Sequence, residues 1–174
     1  MKEEGRGTAL PLLWAPWRME YIETVDRTPE CIFCQKWKED RDEENLILLR
    51  GKRCFIILNR FPYNNGHIMV VPVQHTAELD ALSDGERLGL RILVEEAISA
   101  LKAVMGPDGF NIGMNLGRTA GAGIDEHLHL HVVPRWNGDT NFMPVVGGTK
   151  VISEALQNTY QKLRAEIVRS KRAQ

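Results

Sequence analysis

The sequence predicts an α+β domain: an antiparallel sheet of five or six strands, with a long central helix and a C-terminal helix to one side. Three features of the 174-residue chain lead there. Short apolar runs rich in β-branched residues are separated by turn residues. One long segment repeats apolar residues at helical spacing behind an N-cap, and a second amphipathic stretch closes the chain. A chain of this length can bury a single core.

In chain order, residues 1–30 mix Pro11, Pro16, Trp14 and Trp17 with charge and read as an irregular arm ahead of one domain, 31–174. "NLILLR" (45–50), "CFIILN" (54–59) and "HIMVVPV" (67–73) read as strands, the last two joined by the Pro/Asn/Gly turn "NRFPYNNG". Ser83 with Glu86 three residues later forms a capping box. Leu90, Leu93, Ala97, Leu101 and Val104 then recur at helical spacing until "MGPDG". "FNIGMNL" (110–116) and "HLHLHVVP" (127–134) read as strands, with "TNFMPVV" (140–146) as a sixth. Ile152, Leu156, Tyr160, Leu163 and Ile167 mark one face of a last helix. The charge run "KWKEDRDEEN" (36–45) reads as solvated surface, and Cys54, within an apolar strand, as buried packing.

Bulk properties remove several function classes. A net charge of −1 gives no electrostatic case for nucleic acid or a membrane surface. No apolar run approaches the roughly 20 residues of a membrane helix. The N-terminal apolar stretch is short and broken by prolines, which makes a poor signal peptide. Three cysteines, two of them in a C-x-x-C, do not form a secreted disulfide framework, so a cytoplasmic protein is expected.

The chemistry concentrates in "EHLHLHVVPRW" (126–136), where His127, His129 and His131 alternate. On a strand, i, i+2 and i+4 share a face. Such a face can be merely solvated, can bind a metal, or can carry a nucleophilic imidazole oriented by a neighbour. The preceding "NLGRTAGAG" brings Gly117, Gly121 and Gly123, whose N–H groups can approach an anion closely. A glycine loop running into a histidine strand points to phosphoryl chemistry.

"HLHLHVV" resembles the alternating signature of the histidine triad superfamily of nucleotide hydrolases and transferases. The resemblance extends through "FIILNRFPYNNGHIMVVPVQHTAELDAL" (55–82) and takes in "CIFC" (31–34), covering Cys31 to Asn141. It implies a histidine-triad-like fold. "LNRFP" followed by "GH" is more similar to the Fhit branch of dinucleoside polyphosphate hydrolases than to the Hint phosphoramidases. "RWNGDTNFMPVVGGTKV" (135–151) resembles bacterial diadenosine tetraphosphate phosphorylases.

That resemblance implies a covalent nucleotidyl intermediate on the middle histidine, His129. A main-chain carbonyl would hold the other ring nitrogen, leaving Nε2 to attack. His131 would bind phosphate oxygens or assist the leaving group, His127 would support, and Asn115 would contact the phosphates. Ile57, Asn59, His67 and Met69 match the nucleoside and ribose positions, with Gly121 and Gly123 in the phosphate loop. Relatives often carry Ser or Gln where this chain has Gly123, leaving main-chain N–H groups, Arg118 or attacking phosphate to serve the leaving group. Arg135 and Trp136 would reach a distal phosphate and a second base, although a subunit contact suits Trp136 equally.

Cys31 and Cys34 alone could be redox, metal-binding or accidental. In the bacterial triad proteins and the related galactose-1-phosphate uridylyltransferases their counterparts are joined by residues resembling His75 and His127, which implies a structural Cys₂His₂ zinc site. The expected substrates are adenine nucleotides or dinucleoside polyphosphates, diadenosine tetraphosphate foremost, with inorganic phosphate as a possible acceptor and no organic cofactor. The resemblance also implies a homodimer or larger homo-oligomer. A Hint-like adenosine phosphoramidase and a catalytically weak nucleotide sensor are the alternatives.

Overall fold

A computed structural model describes residues 30–141 and 151–172. The expected N-terminal arm and most of the sixth strand, 140–146, lie outside the described residues. Within them, five strands form one antiparallel sheet in the order β1-β2-β3-β5-β4. They are β1 (Ile47–Arg50), β2 (Cys54–Leu58), β3 (Ile68–Pro72), β4 (Gly109–Gly113) and β5 (Leu130–Arg135). Every residue of β2 and β3 is buried, as their unbroken apolar runs require of strands covered on both faces.

The cover comes from helices. Two short ones, α1 (Ile32–Lys38) and α2 (Asp42–Asn45), precede the sheet. Helix α3 (Asp84–Met105) packs on β2, β3 and β5, and α4 (Leu156–Arg172) packs on α3 and β1. The capping box forms as expected: Ser83 accepts from the Glu86 N–H while the Glu86 carboxylate accepts from the Ser83 N–H. Gly106 ends α3 in the left-handed conformation that glycine adopts without strain. Helix α4 buries Thr159, Tyr160, Leu163 and Ile167, while Ile152 precedes it. Tyr160 and Arg164 donate to the carbonyls of Ile47 and Leu48, which fixes α4 to the sheet edge.

Two expectations are corrected. The strand anticipated at 127–134 begins only at Leu130. The β3–β5 register, Ile68↔Val132 to Val70↔Leu130, would next bring Pro72 opposite Leu128. Pro72 has no N–H with which to extend the ladder, and its carbonyl instead accepts from His127 Nε2 at 2.9 Å. Leu128 donates to Thr76 O rather than to a strand partner. The charge run 36–45 is also not all solvated: it supplies α2 and the end of α1, and Lys36 is half-buried. Arg50 ties this segment to β1, donating to Trp37 O, Glu39 O and Asp42 and lying 4.8 Å over the Trp37 ring.

Candidate active site

Because β5 starts late, the three histidines do not share one environment. His129 and His131 line a common cavity, with ring centroids 4.8 Å apart. His127 turns to Cys31, Cys34 and His75 and is almost wholly buried. Phe33, on the buried side of α1, touches the rings of both His127 and His129.

The hydrogen bonds assign the tautomers. His129 Nδ1 lies 2.9 Å from the His127 carbonyl, which can only accept, so Nδ1 carries hydrogen and Nε2 carries the lone pair. His67 Nδ1 accepts from the Tyr63 N–H at 3.1 Å and from Asn59 Nδ2 at 3.2 Å. Its hydrogen therefore sits on Nε2, which donates to His131 Nδ1 at 2.9 Å. His131 then bears hydrogen on Nε2. One imidazole offers a lone pair and its neighbour offers a proton. Burial holds His129 below the usual histidine range, against the opposing pull of the His127 carbonyl, and so favours the neutral imidazole.

Around these rings the cavity is lined by Asn115, Gly121 and Gly123 and by the apolar Ile32, Phe33, Ile57 and Met69. Asn59 lines it too. Its Oδ1 accepts from the Phe61 N–H and its Nδ2 faces His67, leaving one lone pair and one N–H for a ligand. His67 lies behind His131, fully buried, rather than in the cavity wall. Trp136 is not brought to this cavity: it donates to Met105 O and lines a separate polar hollow with Asn64, Asp139 and Glu154. Arg135 is occupied by Asp139 and Asn111.

Sequence reasoning missed Ile32, Phe33, Lys36 and Ile124, which also line the cavity. The first three lie on one face of α1 at helical spacing, a signal too short to separate from an irregular segment. Burial lowers the Lys36 amine to about 8, the nearby Arg60 guanidinium adding to the shift and Glu39 opposing it.

Cys31, Cys34, His75 and His127 converge so that their ligand atoms all lie within 4.8 Å of one another. The separations are 3.2 Å (Cys31 Sγ to His127 Nδ1), 3.4 Å (Cys34 Sγ to His75 Nδ1), 3.6 Å (Cys34 Sγ to His127 Nδ1) and 3.2 Å between the two histidine Nδ1 atoms. A tetrahedral zinc with the usual bond lengths spaces neighbouring sulfur and nitrogen ligands about 3.3–3.8 Å apart. The set fits. The Pro72 carbonyl takes the hydrogen of His127 Nε2, which leaves Nδ1 able to ligate. Burial, reinforced by His75 and His129, pushes the His127 imidazole down to about 4, so it is neutral. Burial raises the Cys31 thiol to about 11, a shift a bound cation reverses.

The model of the HIT domain family matches residues 40–138. This chain belongs to that family. A curated "AP-4-A phosphorylase" of Mycobacterium tuberculosis is 44% identical over 172 residues, covering 95% of this HIT protein and 88% of the relative. An "Adenosine 5'-monophosphoramidase" of Schizosaccharomyces pombe is 33% identical over 107 residues, 62% of this chain and 75% of the relative. Among solved structures, a zinc-bound histidine triad family protein of Mycobacterium smegmatis superimposes with a TM-score of 0.67 at 26% identity, covering 83% of this chain and 98% of its own. The HIT fold expected from the sequence is thus the fold found. The two cysteines and Lys36 precede the matched segment.

Proposed function

We propose that this HIT protein cleaves adenine dinucleoside polyphosphates, diadenosine tetraphosphate foremost, through a covalent adenylyl-His129 intermediate. The observation that carries the reading is the paired tautomers: a neutral His129 Nε2 lone pair beside a hydrogen-bearing His131 Nε2. His129 Nε2 attacks the α-phosphorus, forming a P–N bond as the P–O bond to the departing ATP breaks. His131 gives the departing oxygen its hydrogen bond or proton. Phosphate or water then attacks the same phosphorus and the P–N bond breaks, yielding ADP or AMP. Asn115 and the Gly123 N–H hold the phosphates, Gly121 shaping the loop with its own N–H on the Arg118 carbonyl, while Ile57 and Met69 wall the base and Asn59 meets the ribose.

Cys31, Cys34, His75 and His127 would hold a structural zinc. Bound there, the ion supplies no reacting group and pins the segment whose His127 carbonyl orients the nucleophile. The relative 44% identical over 95% of the chain supports phosphorolysis over phosphoramidate cleavage, and the zinc-bound structural neighbour supports the metal. No helix among the described residues is long and apolar enough to cross a membrane, and the cytoplasm is the location we propose from the sequence. Strand β4 ends the sheet with Ile112 exposed, which suits the proposed homodimer. We retain a single catalytic domain over 31–174 behind the arm 1–30.

The test is incubation with diadenosine tetraphosphate, with and without inorganic phosphate. ADP formed only with phosphate marks phosphorolysis, and AMP with ATP marks hydrolysis. Turnover of an adenosine phosphoramidate alone overturns the reading, as does a chain that binds nucleotide and cleaves neither. His129→Ala should lower turnover by at least about three orders of magnitude while retaining nucleotide binding. Undiminished activity would sink the covalent mechanism.

A further inference from the structure

Two cations, Lys36 on α1 and Arg60 just beyond β2, line the active-site cavity. The half-buried Lys36 gives up hydration there, and its Nζ donates to Asn45 O at 3.3 Å, which occupies one of three N–H groups. The Leu58 N–H donates to Leu46 O at 2.9 Å, so the antiparallel register of β1 and β2 brings Asn45 opposite Asn59. The amine is thereby anchored beside the residue proposed to meet the ribose, and Arg60 follows that residue in the chain. Among the described residues Arg60 has no ion-pair partner. Burial, then the Arg60 guanidinium, lowers the Lys36 amine to about 8, so each cation disfavours the other's charge. Glu39, whose carboxylate accepts from Asn45 Nδ2 at 2.7 Å, offsets this only in part.

An unmodified nucleoside gives these two groups nothing to neutralise. Its 5′-phosphates belong at the other end of the cavity, against His129 and Gly123, and its ribose carries only neutral hydroxyls. A phosphate esterified to the ribose would instead meet an ammonium group and the planar guanidinium fork that suits phosphate oxygens. We propose that Lys36 and Arg60 form a subsite for a phosphate on the ribose 2′ or 3′ oxygen. The ligand class then widens to nucleotides phosphorylated on the ribose as well as at the 5′ position. As substrates these are 5′-phosphoanhydrides bearing that second phosphate. The inference rests on the proposed nucleotide site, though not on its chemistry.

The experiment therefore reads binding. The full chain is titrated calorimetrically with adenosine 3′,5′-bisphosphate, adenosine 2′,5′-bisphosphate, ADP and AMP. At least one bisphosphate should bind about tenfold tighter than AMP, the gain one charge-assisted contact supplies, and the pair tells which oxygen carries the phosphate. That preference should shrink as salt is raised. ADP carries its added charge at the 5′ end and controls for general attraction. Arg60→Met and Lys36→Met should each cut the bisphosphate-over-AMP preference about tenfold and leave the ADP-over-AMP ratio in place. Lys38→Met, an exposed lysine of the same helix, should move neither ratio. Bisphosphates bound no tighter than AMP would overturn the proposal. So would Arg60→Met weakening ADP and the bisphosphates alike, which would place the guanidinium on the 5′-phosphates. A chain that shows the expected ratios yet cleaves no dinucleotide leaves the subsite intact and removes only the catalytic reading.

Discussion

His67 reaches no substrate in the proposed mechanism, yet it decides which nitrogen of His131 carries hydrogen. His67→Phe, similar in size and fully buried, removes that instruction while keeping the packing with Tyr63. The expected result is a fall in kcat of about 10- to 100-fold, the range of a lost proton-transfer aid, with KM little changed. A KM effect alone would return His67 to nucleoside binding, the role first read from the sequence. The sequence made His127, His129 and His131 conspicuous but not their separation. Alternation suggested three rings on one face, whereas Pro72, 55 residues earlier, truncates the ladder and sends His127 to the cysteines. Lys36 was illegible for the opposite reason: a single inward residue in a charged run leaves no periodic trace. Trp136, which from the sequence suits a second base or a subunit contact equally, donates its indole N–H to Met105 O in another hollow.

Among the elements, α3 was the most legible because its boundaries are written in local chemistry. Ser83, Glu86 and Gly106 act through neighbours within four residues, so no tertiary knowledge is needed. Ser83→Ala should cost about 1 kcal/mol, seen as a lower urea midpoint. The Ser83 hydroxyl, then its main-chain N–H, hold the Glu86 carboxyl below the usual carboxylate range. A carboxyl depressed on folding stabilises above its unfolded pKa, about 4.3, and loses that contribution as pH falls through the folded value. Wild type should therefore lose stability below about pH 4.3 more steeply than Glu86→Gln. Parallel pH profiles would show that the box contributes nothing ionic. Helix α1 was missed because it has seven residues and no side-chain cap at Cys31. It is specified from outside, by Arg50 gripping its carbonyl end and by Phe33 wedged against two histidines.

At the scale of the molecule, the Cys₂His₂ cluster joins α1, the turn after β3 and the approach to β5, three segments far apart in sequence. Metal analysis of the purified chain should find one zinc per protomer. Stripping it with a chelator should lower Tm by at least about 5 °C. A metal-free chain whose Tm ignores chelator would leave the cluster as ordinary packing. The sheet and its helices could be read from apolar runs, but this convergence could not, since nothing local in "CIFC" names His75 or His127 as partners. The same main-chain geometry has a further effect. Of the two imidazoles in the proposed chemistry, His131 takes its proton assignment from a side chain, His67, but His129 takes its own from a peptide group, the carbonyl of residue 127. Peptide groups are the one part of a protein that amino-acid exchange, proline apart, leaves in place. The proposed base can thus keep its lone pair aimed while the surrounding residues drift toward new substrates.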